Sequence, residues 1–176
     1  MSGDSQWMLP PEIFAYLCEL FPSGGKILEF GSGDGTRILA EKFDICSIEH
    51  DEVWAEKLDS ECHLISIKSN RISTENGQTG WYDVDEVLKV IPKDLDIVII
   101  DGPNGTIGRH GILSILDSLP KRAVYIVDDV HRDAEIDLYK KLVQWHGGEG
   151  NIFDSCYDSG ELRQWAFIKS NVGGQL

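Results

Sequence analysis

The sequence lacks the features that mark zinc-binding, secreted and membrane proteins. It has only four cysteines, with no CxxC motif and no cysteine–histidine cluster, so a zinc site is not expected. Its first residues, MSGDSQWMLPPE, have neither the basic start nor the apolar run of a signal peptide. No apolar run is long enough to cross a membrane. We therefore expect a cytoplasmic protein with reduced thiols and no membrane partner.

Basic residues are also scarce. The chain has 16 lysines and arginines against 30 acidic residues, a net charge of −14. This balance argues against a nucleic-acid backbone or an anionic membrane as the main partner. The 176 residues suit one domain, with an N-terminal helix in 1–22, a sheet core in 23–170 and a tail in 171–176. The oligomeric state stays open at this level.

Short apolar runs alternate with helical patterns along the chain. Strands are predicted at KILEF, DICSIE, ECHLISI, LDIVII and AVYIV, and helices at EIFAYLCELF, TRILAEKF, EVWAEKL, DVDEVLKVI, HGILSILDSL and residues 132–146. Residues 66–81 are polar and predict a loop. NIFDSCY and LRQWAFIK predict a closing hairpin around Asp158–Gly160. The pattern indicates an α/β, doubly wound, mostly parallel seven-stranded sheet with an antiparallel C-terminal hairpin.

A glycine-rich loop follows the first predicted strand. It carries Gly31, Gly33 and Gly35, and Glu49 ends the second predicted strand. The third glycine comes one place too early for the GxGxxG fingerprint of dinucleotide-binding proteins, and no Walker lysine is present. This spacing disfavours both NAD and a nucleoside triphosphate.

The stretch Glu29–Gly35, EFGSGDG, resembles motif I of the class I S-adenosylmethionine-dependent methyltransferases. The resemblance implies a Rossmann-like fold, with the glycine backbone beside the methionine part of the cofactor. It also implies that Glu49 accepts hydrogen bonds from the ribose hydroxyls, because a carboxylate suits a diol. The expected cofactor-binding residues are Glu29, Gly31, Ser32, Gly33, Gly35, Glu49, His50 and Asp101.

Three aspartates follow the fourth and fifth predicted strands. Asp101 lies in IIDGPNG, and Asp128 and Asp129 lie in YIVDDVHR. Because the carboxyl ends of parallel strands meet at one edge of a sheet, we expect the three to converge. Such a cluster of like charges needs a proton or a cation, and Mg²⁺ takes oxygen ligands of this kind. We therefore expect Mg²⁺ as a second cofactor, held by Asp101, Asp128 and Asp129.

The same aspartates resemble the magnesium ligands of the catechol O-methyltransferase group, which has an Asp-Asn pair after strand five. Asp129 replaces the asparagine, and Asn104 stands where that group has its lysine base. The chain also resembles the glucuronoxylan 4-O-methyltransferase group. Two motifs carry this second resemblance: DGP followed by Gly105 and Arg109, and DV-x-R, which ends at Arg132. It implies a sugar-like or polyol acceptor. Arg109 and Arg132 could hold a substrate anion or pair with the aspartates.

The candidate catalytic residues are Asp101, His131 and His110. A histidine near neutral pKa suits proton removal from an acceptor hydroxyl, but either histidine could equally cap a helix or face solvent. Trp81 and Tyr82 could stack on adenine or anchor their loop to the core.

The sequence thus predicts a methyltransferase that acts on a hydroxyl of a small molecule such as a sugar, a polyol or a catechol. An NAD-dependent oxidoreductase and a non-catalytic binding protein with the same fold remain the alternatives.

Overall fold

The computed structural model of the chain describes residues 9–58, 60–156, 160 and 162–170. Its strands, in chain order, are β1 Lys26–Phe30, β2 Asp44–Glu49, β3 Glu61–Leu64, β4 Ile67–Lys68, β5 Trp81–Tyr82, β6 Ile97–Ile100, β7 Val124–Val127, β8 Glu149–Cys156 and β9 Leu162–Lys169. The α-helices are α1 Pro11–Leu20, α2 Asp34–Ala40, α3 Glu52–Ala55, α4 Arg71–Glu75, α5 Val84–Val90 and α6 Asp133–His146, and a 3₁₀ helix spans His110–Ser118.

Seven of these strands form one mixed sheet in the order β3-β2-β1-β6-β7-β9-β8. The first five strands in this order are parallel to one another, and β9 pairs antiparallel with both β7 and β8. The predicted fold class is therefore confirmed, including the closing hairpin. The part of its turn at 157–159 and the predicted tail at 171–176 lie outside the described residues.

Hydrophobic clusters cover both faces of the sheet. Alternate residues of β6 point to opposite sides: Ile97 and Ile99 pack with Ile13 and Leu17 of α1, whereas Val98 and Ile100 join the other cluster. That second cluster includes residues of α5, of the 3₁₀ helix and of α6. A strand that is buried on both faces has a continuous apolar sequence, and LDIVII therefore predicted a central strand.

The segment predicted as a loop at 66–81 contains regular structure, and this prediction was wrong. The strands β4 and β5 pair antiparallel across it, and α4 lies between them. The side chain of Asn70 caps α4 by accepting a hydrogen bond from the backbone N–H of Ser73 at 3.1 Å. These elements are too short to show a periodic pattern. The predicted strand ECHLISI is likewise divided between β3 and β4.

The strand order reverses between β1 and β6, where the chain crosses to the other half of the sheet. The loops after β1, β2, β6 and β7 all leave the sheet at its carboxyl edge. Ligand sites of open α/β sheets lie at this edge, beside the reversal of strand order. Among the described residues, no helix is both long and apolar enough to cross a membrane.

Candidate functional site

A cavity of about 460 Å³ opens at this carboxyl edge. This volume suits a small-molecule or cofactor site. Residues that follow β1 and β2 line one half, and residues that follow β6 and β7, together with Arg163 of β9, line the other. We label them the cofactor half and the acceptor half, after the ligands expected from the sequence. The lining residues are Gly31, Ser32, Glu49, His50, Asp51 and Trp54 in the cofactor half, and Asp101–Gly105, Arg109, Asp128, Asp129, Arg132 and Arg163 in the acceptor half.

The two loops flanking the strand reversal touch through their glycines. Gly31 has a φ of +87°, and a Cβ added there would lie 2.7 Å from the backbone nitrogen of Gly102. The backbone N–H groups of Asp101 and Gly102 both donate to the carbonyl oxygen of Phe30, at 3.0 and 2.6 Å. The positive φ and the close neighbouring loop therefore require glycine at position 31, whether or not a ligand approaches it.

Three residues expected at the cofactor do not line the cavity. Glu29 is buried behind the glycine loop, where its Oε2 accepts hydrogen bonds from Ser47 Oγ at 2.7 Å and Thr36 Oγ1 at 2.9 Å. Burial raises the pKa of Glu29 to about 8 despite those two hydrogen bonds. Gly35 packs against Leu9, since a Cβ there would lie 3.1 Å from the Leu9 nitrogen. Gly33 precedes α2 and is not among the lining residues.

Glu49 ends β2 inside the cofactor half, with a side chain that is only 5% exposed. Its Oε2 accepts from the backbone N–H and the hydroxyl of Ser32, at 2.8 and 3.1 Å. Its Oε1 accepts from the backbone N–H groups of His50 and Asp51, at 2.6 and 2.9 Å. Burial favours a higher pKa for Glu49, but these donors and the His50 ring outweigh it and lower the pKa. The carboxylate is therefore ionised at neutral pH.

The three predicted aspartates do converge in the acceptor half. One carboxylate oxygen from each of Asp101, Asp128 and Asp129 lies within 4.8 Å of the others. Asp129 has a φ of +59°, a left-handed conformation that Asp tolerates better than most residues. Its side chain does not cap α6, since the residue preceding that helix is Arg132.

Arginines meet the same carboxylates. Arg109 is buried at 3% side-chain exposure, and its Nη2 donates to Asp101 Oδ1 at 3.2 Å and to Asp129 Oδ2 at 3.1 Å. Its Nη1 donates to the backbone oxygen of Asp128 at 2.8 Å. Arg132 Nη1 lies 2.8 Å from Asp129 Oδ2, and Arg163 Nη1 lies 3.9 Å from Asp129 Oδ1. Of the two roles open to Arg109 and Arg132 in the sequence, the structure shows pairing with aspartates.

Burial and mutual repulsion shape the ionisation of this cluster. Burial raises the pKa of Asp101, although the Arg109 guanidinium opposes the rise. The pKa of Asp128 is raised well above its usual range by burial and by the charges of Asp101 and Asp129. Asp128 Oδ1 is buried and has no hydrogen-bond partner among the residues that the structure describes. The cluster therefore holds a proton on Asp101 or Asp128 more readily than isolated aspartates would.

The histidines expected as bases do not reach the cavity. His110 is buried at the start of the 3₁₀ helix, and its Nε2 lies 2.8 Å from Asp137 Oδ2, away from the lining residues. His131 is exposed and does not line the cavity either. Their positions after strands in the sequence were misleading, because His110 belongs to the 3₁₀ helix, ten residues beyond β6, and His131 is exposed outside the cavity. Asp101 is the predicted catalytic residue that the structure places in the cavity.

Of the two roles that the sequence left open for Trp81 and Tyr82, the structure shows anchoring to the core. Trp81 and Tyr82 are fully buried, and the Trp81 ring centroid lies 5.4 Å from that of Phe30, so they anchor their segment to the core. Trp54 of α3 lines the cofactor half instead. Arg163 was missed altogether, because only the antiparallel pairing of β9 with β7 carries it to this edge. No local signal in LRQWAFIK marks that arginine as a site residue.

No protein-family model matches the chain, and no curated protein matches its sequence. Solved structures match its fold. A putative O-methyltransferase from Klebsiella pneumoniae has 14% identity and a TM-score of 0.61, over 95% of this chain and 83% of that one. An O-methyltransferase from Bacillus cereus, solved with S-adenosylhomocysteine, has 13% identity and a TM-score of 0.61, over 92% and 82%. The O-methyltransferase TomG from Streptomyces achromogenes, solved with S-adenosylmethionine, has 17% identity and a TM-score of 0.58, over 90% and 78%.

The sheet order and these similarities define the class of fold. The chain has the Rossmann-like fold of the S-adenosylmethionine-dependent methyltransferases, and several of its structural neighbours are O-methyltransferases. The resemblance read from the glycine loop is confirmed at this level.

Proposed function

We propose that the chain is an S-adenosylmethionine-dependent methyltransferase that methylates a hydroxyl of a small-molecule acceptor such as a sugar, a polyol or a catechol. The observation that carries the proposal is the single continuous cavity across the strand reversal. An ionised carboxylate, Glu49, lies in one half, and a carboxyl of raised pKa, Asp101, lies in the other. The first suits a ribose diol and the second suits a proton acceptor.

The cofactor half fits the ribose of S-adenosylmethionine. Four hydrogen bonds already fill the acceptor positions of Glu49, and the longest comes from the Ser32 hydroxyl at 3.1 Å. A ribose hydroxyl would replace that hydroxyl, while the backbone donors keep the carboxylate in place. The backbone of Gly31 lines the cavity, and the methionine part of S-adenosylmethionine would lie against it. One face of the Trp54 indole is covered by the Lys57 ammonium, 3.9 Å from the ring centroid, and the other face would stack on adenine, in the role that the sequence suggested for Trp81 and Tyr82.

The acceptor half supplies alignment and a proton acceptor. When bound, the cofactor supplies an electrophilic methyl group on a sulfonium. The Asp101 side chain is 28% exposed and faces the cavity. It would accept the proton of the acceptor hydroxyl when that oxygen receives the methyl group, leaving S-adenosylhomocysteine as the second product. A raised pKa makes this carboxylate a stronger base at neutral pH.

The residues of the acceptor half do not fit the magnesium site expected from the sequence. Asp101 and Asp129 already pair with the guanidinium of Arg109, and two further arginines, Arg132 and Arg163, approach Asp129. A divalent ion would have to enter beside a buried cation. No step of the proposed reaction is therefore assigned to a metal.

Binding and transfer test the proposal in turn. Isothermal titration calorimetry should give a saturable isotherm with S-adenosylhomocysteine and none with NAD. Transfer of a labelled methyl group from S-adenosylmethionine should then be assayed against a panel of sugars, polyols and catechols. Binding of NAD in place of S-adenosylhomocysteine would favour the oxidoreductase alternative. Cofactor binding without transfer to any hydroxyl of the panel would favour a non-catalytic role.

A further inference from the structure

The acceptor half contains its own buried cation. A single nitrogen of Arg109, Nη2, bridges carboxylates that follow two different strands, Asp101 after β6 and Asp129 after β7. The guanidinium also donates to two backbone oxygens, Asp128 O at 2.8 Å and Pro103 O at 3.4 Å. These contacts fix the cation at the centre of the aspartate cluster.

We infer that Arg109 occupies the position a divalent cation would otherwise take in this cluster, and that removing its charge creates a divalent-cation site. The inference rests on the proposed function and deepens it: the cation that faces the acceptor is then an arginine of the protein, Arg109, and not a bound metal ion. Its test nevertheless involves neither cofactor nor acceptor, so it stands or falls independently of methyl transfer.

The charge and geometry of the cluster support this inference. Oxygens of the three aspartates lie within 4.8 Å of one another, a spread that a single hard ion with oxygen ligands can span after small adjustments. Burial of three carboxyl groups together is unfavourable without positive charge. Arg109 provides this positive charge permanently. Burial alone would lower the pKa of Arg109, but the charges of the three aspartates raise that pKa above its ordinary value.

The other arginines are less central. Arg132 is 42% exposed and contacts Asp129 alone among the three aspartates, and Arg163 approaches Asp129 only at 3.9 Å. Substitution of Arg132 would therefore leave Arg109 between Asp101 and Asp129. This difference makes Arg132→Gln the matched control for Arg109→Gln, since both remove one guanidinium from the same cluster.

The probe is Mn²⁺, whose free concentration is read from its electron paramagnetic resonance signal during titration. Four proteins are compared: wild type, Arg109→Gln, Arg132→Gln and the double variant Arg109→Gln with Asp128→Asn. The double variant separates binding at the cluster from weak binding to the acidic surface.

We expect Arg109→Gln to bind one Mn²⁺ more tightly than wild type by at least about tenfold, since a buried guanidinium no longer competes for the carboxylates. The added Asp128→Asn change should abolish the gain, and Arg132→Gln should not reproduce it. A folded Arg109→Gln protein with no new site would overturn the inference. Asp128→Asn is also made alone, so that the test does not depend on the folding of Arg109→Gln. A wild-type Mn²⁺ site that Asp128→Asn removes would overturn the inference without any Arg109 variant.

Discussion

The two halves of the cavity hold buried carboxylates in opposite ways. Glu49 in the cofactor half is stabilised mainly by neutral donors, the backbone N–H groups of Ser32, His50 and Asp51. Asp129 in the acceptor half is surrounded by arginine side chains. Two of the three backbone donors directly follow Glu49, and the third, Ser32, lies on the neighbouring loop after β1. Of the guanidinium groups, that of Arg132 comes from the loop that carries Asp129, and the other two come from distant segments. The first arrangement is therefore largely local, and the second depends more on the assembled fold.

The largest expected effect tests the dependence of the acceptor half on charge. Arg109→Ala should lower the free energy of unfolding by about 3–5 kcal/mol, because it leaves buried carboxylates without their cation. Urea denaturation followed by circular dichroism measures this change. Arg71→Ala is the control, since Arg71 pairs with Glu75 on an exposed helix surface and its loss should leave stability nearly unchanged. Equal effects of the two substitutions would contradict the comparison.

The second prediction tests the cofactor half. Glu49→Ala should weaken binding of S-adenosylhomocysteine by about 1.5–3 kcal/mol, the loss typical of a hydrogen bond to a charged group. Isothermal titration calorimetry measures the affinity. Glu52→Ala, an exposed glutamate three positions along, should bind as the wild type does. Unchanged affinity in a folded Glu49→Ala protein would place the ribose elsewhere.

The third prediction concerns Glu29, which lies behind the cofactor half. Its folded pKa of about 8 exceeds the ordinary value of 4.5, so between these pH values the folded state holds a proton that the unfolded state has lost. The raised pKa of Glu29 therefore contributes stability that is fully present below pH 4.5 and is lost as the pH rises towards about 8. Glu29→Gln should remove a slope approaching about 1.4 kcal/mol per pH unit from the free energy of unfolding.

Urea denaturation of both proteins at several pH values across this window measures the slope. The difference between wild type and Glu29→Gln isolates Glu29 from other titrating groups, including Asp101 and Asp128. Parallel pH profiles for the two proteins would show that the raised pKa is wrong.

The contrast between local and assembled arrangements also explains what could be predicted from the sequence. The strand LDIVII, the glycine loop and Glu49 were all readable, because each depends on a few adjacent residues. The convergence of Asp101, Asp128 and Asp129 followed from parallel strands alone. The pairing of Arg109 with two of them remained one of two open roles, since it depends on side-chain directions. Arg163 and Trp54 were missed because their positions are set by sheet pairing and helix orientation, which no local pattern encodes.

The smallest expected effect concerns His50, whose ring lies beside Glu49. Its Nδ1 lies 2.8 Å from Glu49 Oε1, and this contact raises the pKa of His50 above its ordinary value of 6.5. The resulting stabilisation is present below that value and is lost as pH rises through the folded pKa. Because the ring is partly exposed, we expect it to contribute less than about 1 kcal/mol. A proton nuclear magnetic resonance titration of the ring should show the raised pKa in wild type and a lower one in Glu49→Gln. If the pKa of His50 is the same in both proteins, the cofactor half holds Glu49 by neutral donors alone, the backbone N–H groups and the Ser32 hydroxyl, and its contrast with the arginine-bound acceptor half becomes complete.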